Sequence, residues 1–301
     1  MRASLSLVLL AAVAAPVLPG GAAAQQAMDS VQIRTVPLNR GVYMLVGAGG
    51  NLALASGDDA AFLVDDQYAP LTPKILAAIR AITDKPVRFM VNTHWHFDHT
   101  GGNENFGKAG VVIVAHDNVR KRMSVEQFIA RLNHREPPSP RAALPVITFP
   151  DQVTFHLNGD TIHAVHVPPA HTDGDAIVHW SAANVLHMGD LFFNGRYPFV
   201  DLDSGGSFEG VIAAVNAALG MTNDQTKIIP GHGELGTKAD LLRYRDLLVQ
   251  VRDRVRVLIQ QGKTKEEVIA AKPTAQWDAT WGSGFMNPAT FLGIVYDSMK
   301  R

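Results

Sequence analysis

The sequence predicts a layered α/β fold, and three observations predict it. Strand-like runs alternate with helix-like stretches along most of the 301-residue chain. Several of those runs are apolar and end abruptly at glycine or proline with a histidine or aspartate at the tip, where α/β sheets carry their chemistry. Hydrophobic residues make up 47% of the chain and charged residues 18%, which leaves ample material for a large core.

Residues 1–24 read as a secretory leader rather than as part of the fold. Arg2 supplies a positive start, residues 5–17 an apolar stretch, and Ala22-Ala23-Ala24 a small-residue cleavage site before Gln25. That stretch is shorter than a spanning helix needs, and Pro16, Pro19, Gly20 and Gly21 break it. Export to the periplasm is expected, with residues 25–301 forming one domain that has a helical C-terminal tail and no membrane contact after leader removal.

Residues 42–46, 52–56 and 61–64 predict a strand meander, and residues 73–82 a helix. The run from Val87 to Asn92 predicts a strand that delivers the motif described below. Residues 118–132 place Val119, Met123, Phe128 and Leu132 at helical spacing, so a helix is expected there. Residues 135–145 contain four prolines and predict a rigid rim loop. Across residues 147–167, two strand-like runs meet at Asn158-Gly159-Asp160, a strong hairpin signal. Further helices are expected over 208–219 and 237–261; the second aligns Leu241, Tyr244, Leu248, Val251 and Val255 in one stripe and stops at Gly262. Thr264-Lys265-Glu266-Glu267 reads as a capping box for a short following helix. Trp277, Trp281, Phe285, Phe291 and Tyr296 suit a packed tail, a dimer contact or a pocket rim.

Composition narrows the function. A formal net charge of −1 gives no electrostatic case for nucleic-acid binding. The absence of cysteine removes disulfides, thiol catalysis and a lipoprotein anchor. What remains is a monomer or homodimer acting on a small molecule.

The informative segment is His94-Trp95-His96-Phe97-Asp98-His99, followed by Thr100-Gly101-Gly102. His94 and His96, two apart, can point the same way from an extended segment, whereas Asp98 and His99 fall where the chain turns into a helix start and can face a second centre. Two metals are suggested, and four side chains cannot satisfy them alone. Three other strand-like runs end in suitable residues: one leads into His171-Thr172-Asp173, one into Gly189-Asp190 and one into Gly231-His232-Gly233.

These ordered motifs, H-x-H-x-D-H, then a His, an Asp and a final His, resemble those of the metallo-β-lactamase superfamily from about Val42 to His232. The resemblance implies an αββα sandwich with metals at one edge. It implies His94, His96 and His171 on a first zinc ion, Asp98, His99 and His232 on a second, and Asp190 bridging the two. Asp65 corresponds to the superfamily's strand-end aspartate that orients ligand histidines from behind. The ligand set is nitrogen and oxygen without thiolate, which suits zinc while leaving iron or manganese open.

A cation held by three neutral imidazoles lowers the pKa of a bound water from about 15.7 to about 7, so a nucleophile exists at neutral pH. The expected reaction is therefore hydrolysis, with β-lactam opening as the leading case. Asp98 and Asp190 are the residues closest to the chemistry. Lactonase, thioesterase or esterase activity is the alternative, and a non-catalytic zinc-binding protein the reading from another class. The loop after Asp190 is expected to overhang the metals, with Asn194 or Tyr197 polarising a carbonyl and Arg196 holding a substrate carboxylate. Of the remaining histidines, His116 ends a strand and can either reach the pocket or serve as a packed or capping residue. His163 and His166 should lie on opposite faces of one strand, His187 should pack inside a sheet, and His134, His156 and His179 have no assigned role.

Overall fold

A computed structural model of the protein describes residues 28–301, so the expected leader lies outside the described residues. The chain opens with the meander: β1 (Arg34–Pro37), β2 (Val42–Val46), β3 (Leu52–Ala55) and β4 (Ala61–Val64) run antiparallel in order. β5 (Val87–Val91) and β6 (Val112–His116) then add in parallel. β7 (Gln127–Ile129) and β8 (His134–Glu136) form a separate two-stranded ribbon, after which β9 (Ile147–Phe149) returns to complete a seven-stranded sheet.

A second, five-stranded sheet follows from β10 (Gln152–Leu157), β11 (Asp160–His166), β12 (Ala176–Trp180), β13 (Val185–His187) and β14 (Lys227–Ile229), antiparallel except for the β13–β14 pair. The hairpin between β10 and β11 turns at Asn158 and Gly159, both with positive φ. This is the geometry that an Asn-Gly pair adopts with least strain.

Strand alternation determines which layer each residue enters. Met44, Ala53, Phe62 and Val64 face Ile162, Ala164, Val178 and Trp180 of the other sheet and form the inner core. Their sequence neighbours Leu45, Leu54 and Leu63 point outward and are covered by α1 (Thr72–Arg80) through Ile75 and Ile79. Short helices α2 (Phe97–Thr100), α3 (Asn103–Lys108) and α4 (Asp117–Met123) follow β5 and β6. On the far side, Ile177, Leu186 and Ile228 pack beneath α5 (Phe208–Gly220), α6 (Lys238–Gln260), α7 (Lys265–Ala270) and α9 (Pro288–Lys300), with α8 (Ala275–Trp281) between the last two. The result is the expected αββα arrangement.

Helix ends follow their sequence signals. Thr237 and Thr264 each close a capping box, with Asp240 and Glu267 reaching back to the cap. One expected element is corrected: the helix over 118–132 ends at Met123. Beyond it Val125, Phe128 and Ile129 favour extended backbone, and the Gln127 side chain bonds the last turn's Arg122 carbonyl. Phe128 is exposed under the Arg135 guanidinium, so its helical spacing was coincidental. The rigid loop over 135–145 likewise begins within β8 and carries one 3₁₀ turn, Arg141–Ala143.

Candidate metal centre

Four of the site's acidic and histidine residues follow parallel strand ends. Asp65 leaves β4, His94 follows β5, Asp190 follows β13 and His232 follows β14. His171 enters from the loop between β11 and β12, and Asp98 and His99 sit in the single turn of α2. The fold thus gathers residues spread over 168 positions of sequence at one sandwich edge.

The donor atoms of His94, His96, His171 and Asp190 lie within 4.8 Å of one another, and so do those of Asp98, His99 and His232. Asp190 turns one oxygen toward each group. Its Oδ2 is 4.0 Å from His94 Nε2 and 3.5 Å from His171 Nε2; its Oδ1 is 3.1 Å from His99 Nε2 and 3.3 Å from His232 Nε2. Asp98 Oδ2 is 3.4 Å from His232 Nε2 and 3.8 Å from His99 Nε2.

The free nitrogen of each buried ligand histidine is held from behind. His171 Nδ1 lies 2.8 Å from the Phe199 carbonyl, His94 Nδ1 3.1 Å from Thr93 Oγ1, and His96 Nε2 3.0 Å from Asp201 Oδ2. Asp65 gathers three groups at once, accepting from Thr93 N at 2.8 Å and Thr93 Oγ1 at 2.7 Å and meeting His99 Nδ1 at 2.8 Å. It does so from a left-handed backbone, φ +58°, a conformation that non-glycine residues adopt at a cost and that marks functional sites. Such outer contacts fix which ring nitrogen faces inward.

The residues fit a cation. His94 Nε2, His99 Nε2 and Asp190 Oδ1 are buried without a hydrogen-bond partner, and the 3.1 Å approach of the last two lacks hydrogen-bond geometry. Unpaired buried polar atoms are costly unless something else satisfies them. Two glycines make the room: a Cβ on Gly231 would lie 2.1 Å from Asp190 Oδ1, and one on Gly50 2.1 Å from His99 Cε1.

The two groups differ electrostatically in the metal-free protein. Burial, reinforced by neighbouring imidazoles, holds His94 well below the usual histidine range, and burial brings His171 down to about 4. Around Asp98 and Asp190 the balance reverses. Burial still opposes charge, but the two carboxylates raise His232 to about 9 and, with Asp65, hold His99 well above its usual value. Asp190 is correspondingly held well below the carboxylate range, because the imidazoles outweigh its desolvation.

Above the group lies an open cavity of about 610 Å³, floored by His96, Asp98, Asp190 and His232. Its walls carry Tyr68, Phe97, Ile129, Leu132, Phe199 and Phe285. The loop after Asp190 is only partly as expected. Arg196 is exposed and lines the cavity. Tyr197 also lines it, but its hydroxyl donates to Asp278 Oδ1 at 2.8 Å and its ring stacks on Phe291, so the group envisaged for a carbonyl is engaged elsewhere. Asn194 lies outside the lining; its side chain donates to the Glu234 carbonyl and its backbone N–H to that of His232, which steadies the ligand.

His116 is also outside the lining. It accepts from Asn118 N as the cap of α4, lies 3.0 Å from the Pro150 carbonyl through Nε2 and stacks on His166. His187 is fully buried against the Asn51 carbonyl. Asp201, Thr93 and Asn51 were not anticipated. Asn51 joins the Pro230 and Gly233 carbonyls and so shapes the turn that presents His232. Nothing local distinguishes Asp201 from its neighbour Asp203; only the tertiary approach of His96 does.

The profile of the metallo-beta-lactamase superfamily matches residues 46–232, and the chain belongs to that superfamily. Among solved structures it is similar to a metallo-beta-lactamase from Pontibacter korlensis, at 20% identity and a TM-score of 0.59, covering 72% of this chain and 99% of that one. It is also similar to the stereoselective inverting sec-alkylsulfatase Pisa1 from Pseudomonas sp., at 17% identity and a TM-score of 0.65, covering 91% of this chain and 51% of that one. A curated relative, the 2,4-dinitroanisole O-demethylase subunit alpha of Nocardioides sp. (strain JS1661), is 22% identical over 165 residues. That match spans 54% of this chain and 47% of the relative. The protein is thus a superfamily hydrolase with a histidine and aspartate cluster able to bind metal. Among the described residues no helix is long and apolar enough to cross a membrane.

Proposed function

We propose that the chain is an exported dinuclear zinc hydrolase that opens strained or activated cyclic carbonyl compounds, with β-lactam rings as the leading substrates. The observation that carries this reading is Asp190, whose two oxygens face two separate ligand groups across less than 5 Å. Seven donors exceed what one tetrahedral ion accepts, and nitrogen with oxygen suits zinc. When bound, the ions supply an acidified water and electrophilic stabilisation of developing negative charge.

The chain's own residues do the rest. Asp65, Asp201 and the Phe199 carbonyl hold the imidazoles in one orientation. Phe97, Phe193 and Phe199 border the cavity floor and lower the polarity around its charged groups, which strengthens their interactions. Arg196 at the rim offers a bidentate partner for a substrate carboxylate. Lactone, thioester or ester cleavage is the second reading, favoured by the apolar walls. The sulfatase and demethylase names among the relatives add sulfate esters and aryl methyl ethers to what should be tested.

The experiment is elemental analysis of zinc-replete protein followed by a panel of penicillins, cephalosporins, carbapenems, lactones, thioesters, sulfate esters and aryl methyl ethers. Two zinc ions per chain and β-lactam turnover are expected. Lactone or thioester turnover faster by orders of magnitude would remove the β-lactam assignment, and two bound ions with no turnover at all would replace the enzyme with a binding protein.

A further inference from the structure

Part of the wall of the cavity above the carboxylate floor is built by segments that belong to neither main sheet. Ile129 and Leu132 come from β7 and the 3₁₀ turn after it, and His134 from β8. Phe285 comes from the segment between α8 and α9. The ribbon is tied to the ligand loop, since the His134 ring packs on Phe97 with centroids 4.5 Å apart, while Glu136 holds His134 Nε2 at 2.9 Å. It is tied to the Asp201 loop as well, where Asp203 accepts from Ala130 N at 2.9 Å. Phe285 stands edge-on to Phe199, is 66% exposed, and follows Gly282-Ser283-Gly284.

An exposed phenylalanine facing an apolar wall across an open cavity is uncompensated surface. A lone exposed ring is ordinary, but Phe285 continues the wall of Ile129, Leu132, Phe97 and Phe199, and a contiguous apolar patch of this kind marks a binding groove. Charge is sparse on the cavity walls: Arg196 is exposed, and Glu234 is already paired with Arg34 at 2.8 Å.

Resting on the hydrolase reading, we propose that the scissile carbonyl carries an extended apolar substituent, an alkyl or aryl-alkyl chain, that lies between the ribbon wall of Ile129 and Leu132 and the Phe285 lip. Specificity then comes from the ribbon and the C-terminal segment, while the sandwich edge supplies the reaction.

The test uses straight-chain alkyl hydroxamates, from acetyl to octanoyl, titrated calorimetrically into zinc-loaded protein. Affinity should rise about fourfold per added methylene until the wall is covered. Both Phe285→Ala and Leu132→Ser should flatten that rise; the first removes an exposed side chain and so leaves the core intact. A parallel series of p-nitrophenyl esters should show kcat/KM climbing over the same lengths. Hydroxamate affinities within twofold across the series, or a slope unchanged in both variants, would overturn the proposal. If the hydroxamates follow the expected slope but neither the esters nor any member of the substrate panel is cleaved, the apolar subsite stands and the hydrolase reading fails; cleavage with a flat hydroxamate series is the reverse.

Discussion

The unequal electrostatics of the two ligand groups predict that the two metal ions bind with different proton linkage. A histidine must be neutral to ligate, so every proton held in the metal-free site is released on binding. His94 and His171 lie below the usual range and are neutral at pH 7, but His232 is raised to about 9 by Asp190 and Asp98 against the effect of its burial. The sign follows directly. Below pH 9 the free protein holds the His232 proton, the competing cation must displace it, and apparent affinity at the second group increases with pH until that value is passed. At pH 7 the difference of about two units lowers affinity about 100-fold, close to 3 kcal/mol. His99, also raised, adds to the slope in the same direction.

The assay is calorimetric titration of zinc into chelator-stripped protein at pH 6.5, 7.5 and 8.5, in buffers of different ionisation enthalpy so that released protons are counted. The second binding step should release at least one proton at pH 7.5 and gain at least about tenfold in affinity per pH unit, and the first should change far less. A second step that releases no proton at pH 7.5 would show that the carboxylates do not hold His232 charged, and the electrostatic account of the site would be wrong.

Other outcomes follow from the same contacts. Asp190→Asn keeps the shape but removes the charge between the groups, so the second ion and turnover should be lost together while circular dichroism stays native; turnover within a few-fold with both ions bound would refute bridging. Asp201→Asn leaves His96 without its anionic partner and should cost about 10- to 100-fold in zinc affinity at the first group, read by competition with a chelator. Arg196→Ala should raise KM for carboxylate-bearing substrates more than it lowers kcat, since it removes binding made equally in ground and transition states. Mass spectrometry of exported protein should find Gln25 as the first residue.

The seven candidate ligands were legible because their constraints are local: each ends a strand or starts a turn, and the spacing in His94-Trp95-His96-Phe97-Asp98-His99 itself separates two directions. The sandwich was legible for a similar reason, since alternation in pairs such as Met44 and Leu45 already assigns faces. What could not be read was anything decided by approach across the fold. Asp201 is an ordinary acid in sequence and acquires its role only because His96, 105 positions away, points Nε2 at it. Tyr197 fails in the opposite sense: its position next to the site is local, but Asp278, 81 positions on, takes its hydroxyl.

The ribbon shows why substrate is harder to read than chemistry. Residues 118–132 carry apolar spacing that satisfies a helix, and it is the β7–β8 pairing, together with the packing of His134 on Phe97 and the Asp203 bond to Ala130, that holds the second half extended. A helix there would still have kept Ile129 and Leu132, three apart, on one face, but it would have removed the β7–β8 pairing that sets His134 beside Ile129 at the cavity. As a ribbon with a 3₁₀ turn, the same residues present one apolar wall to the cavity. The spacing of the candidate ligands determines where a metal could be held, whereas the wall depends on contacts made across the fold, whose loss would leave the histidine and aspartate cluster in place. Substitutions in the ribbon should therefore change which molecules are cleaved without changing how they are cleaved.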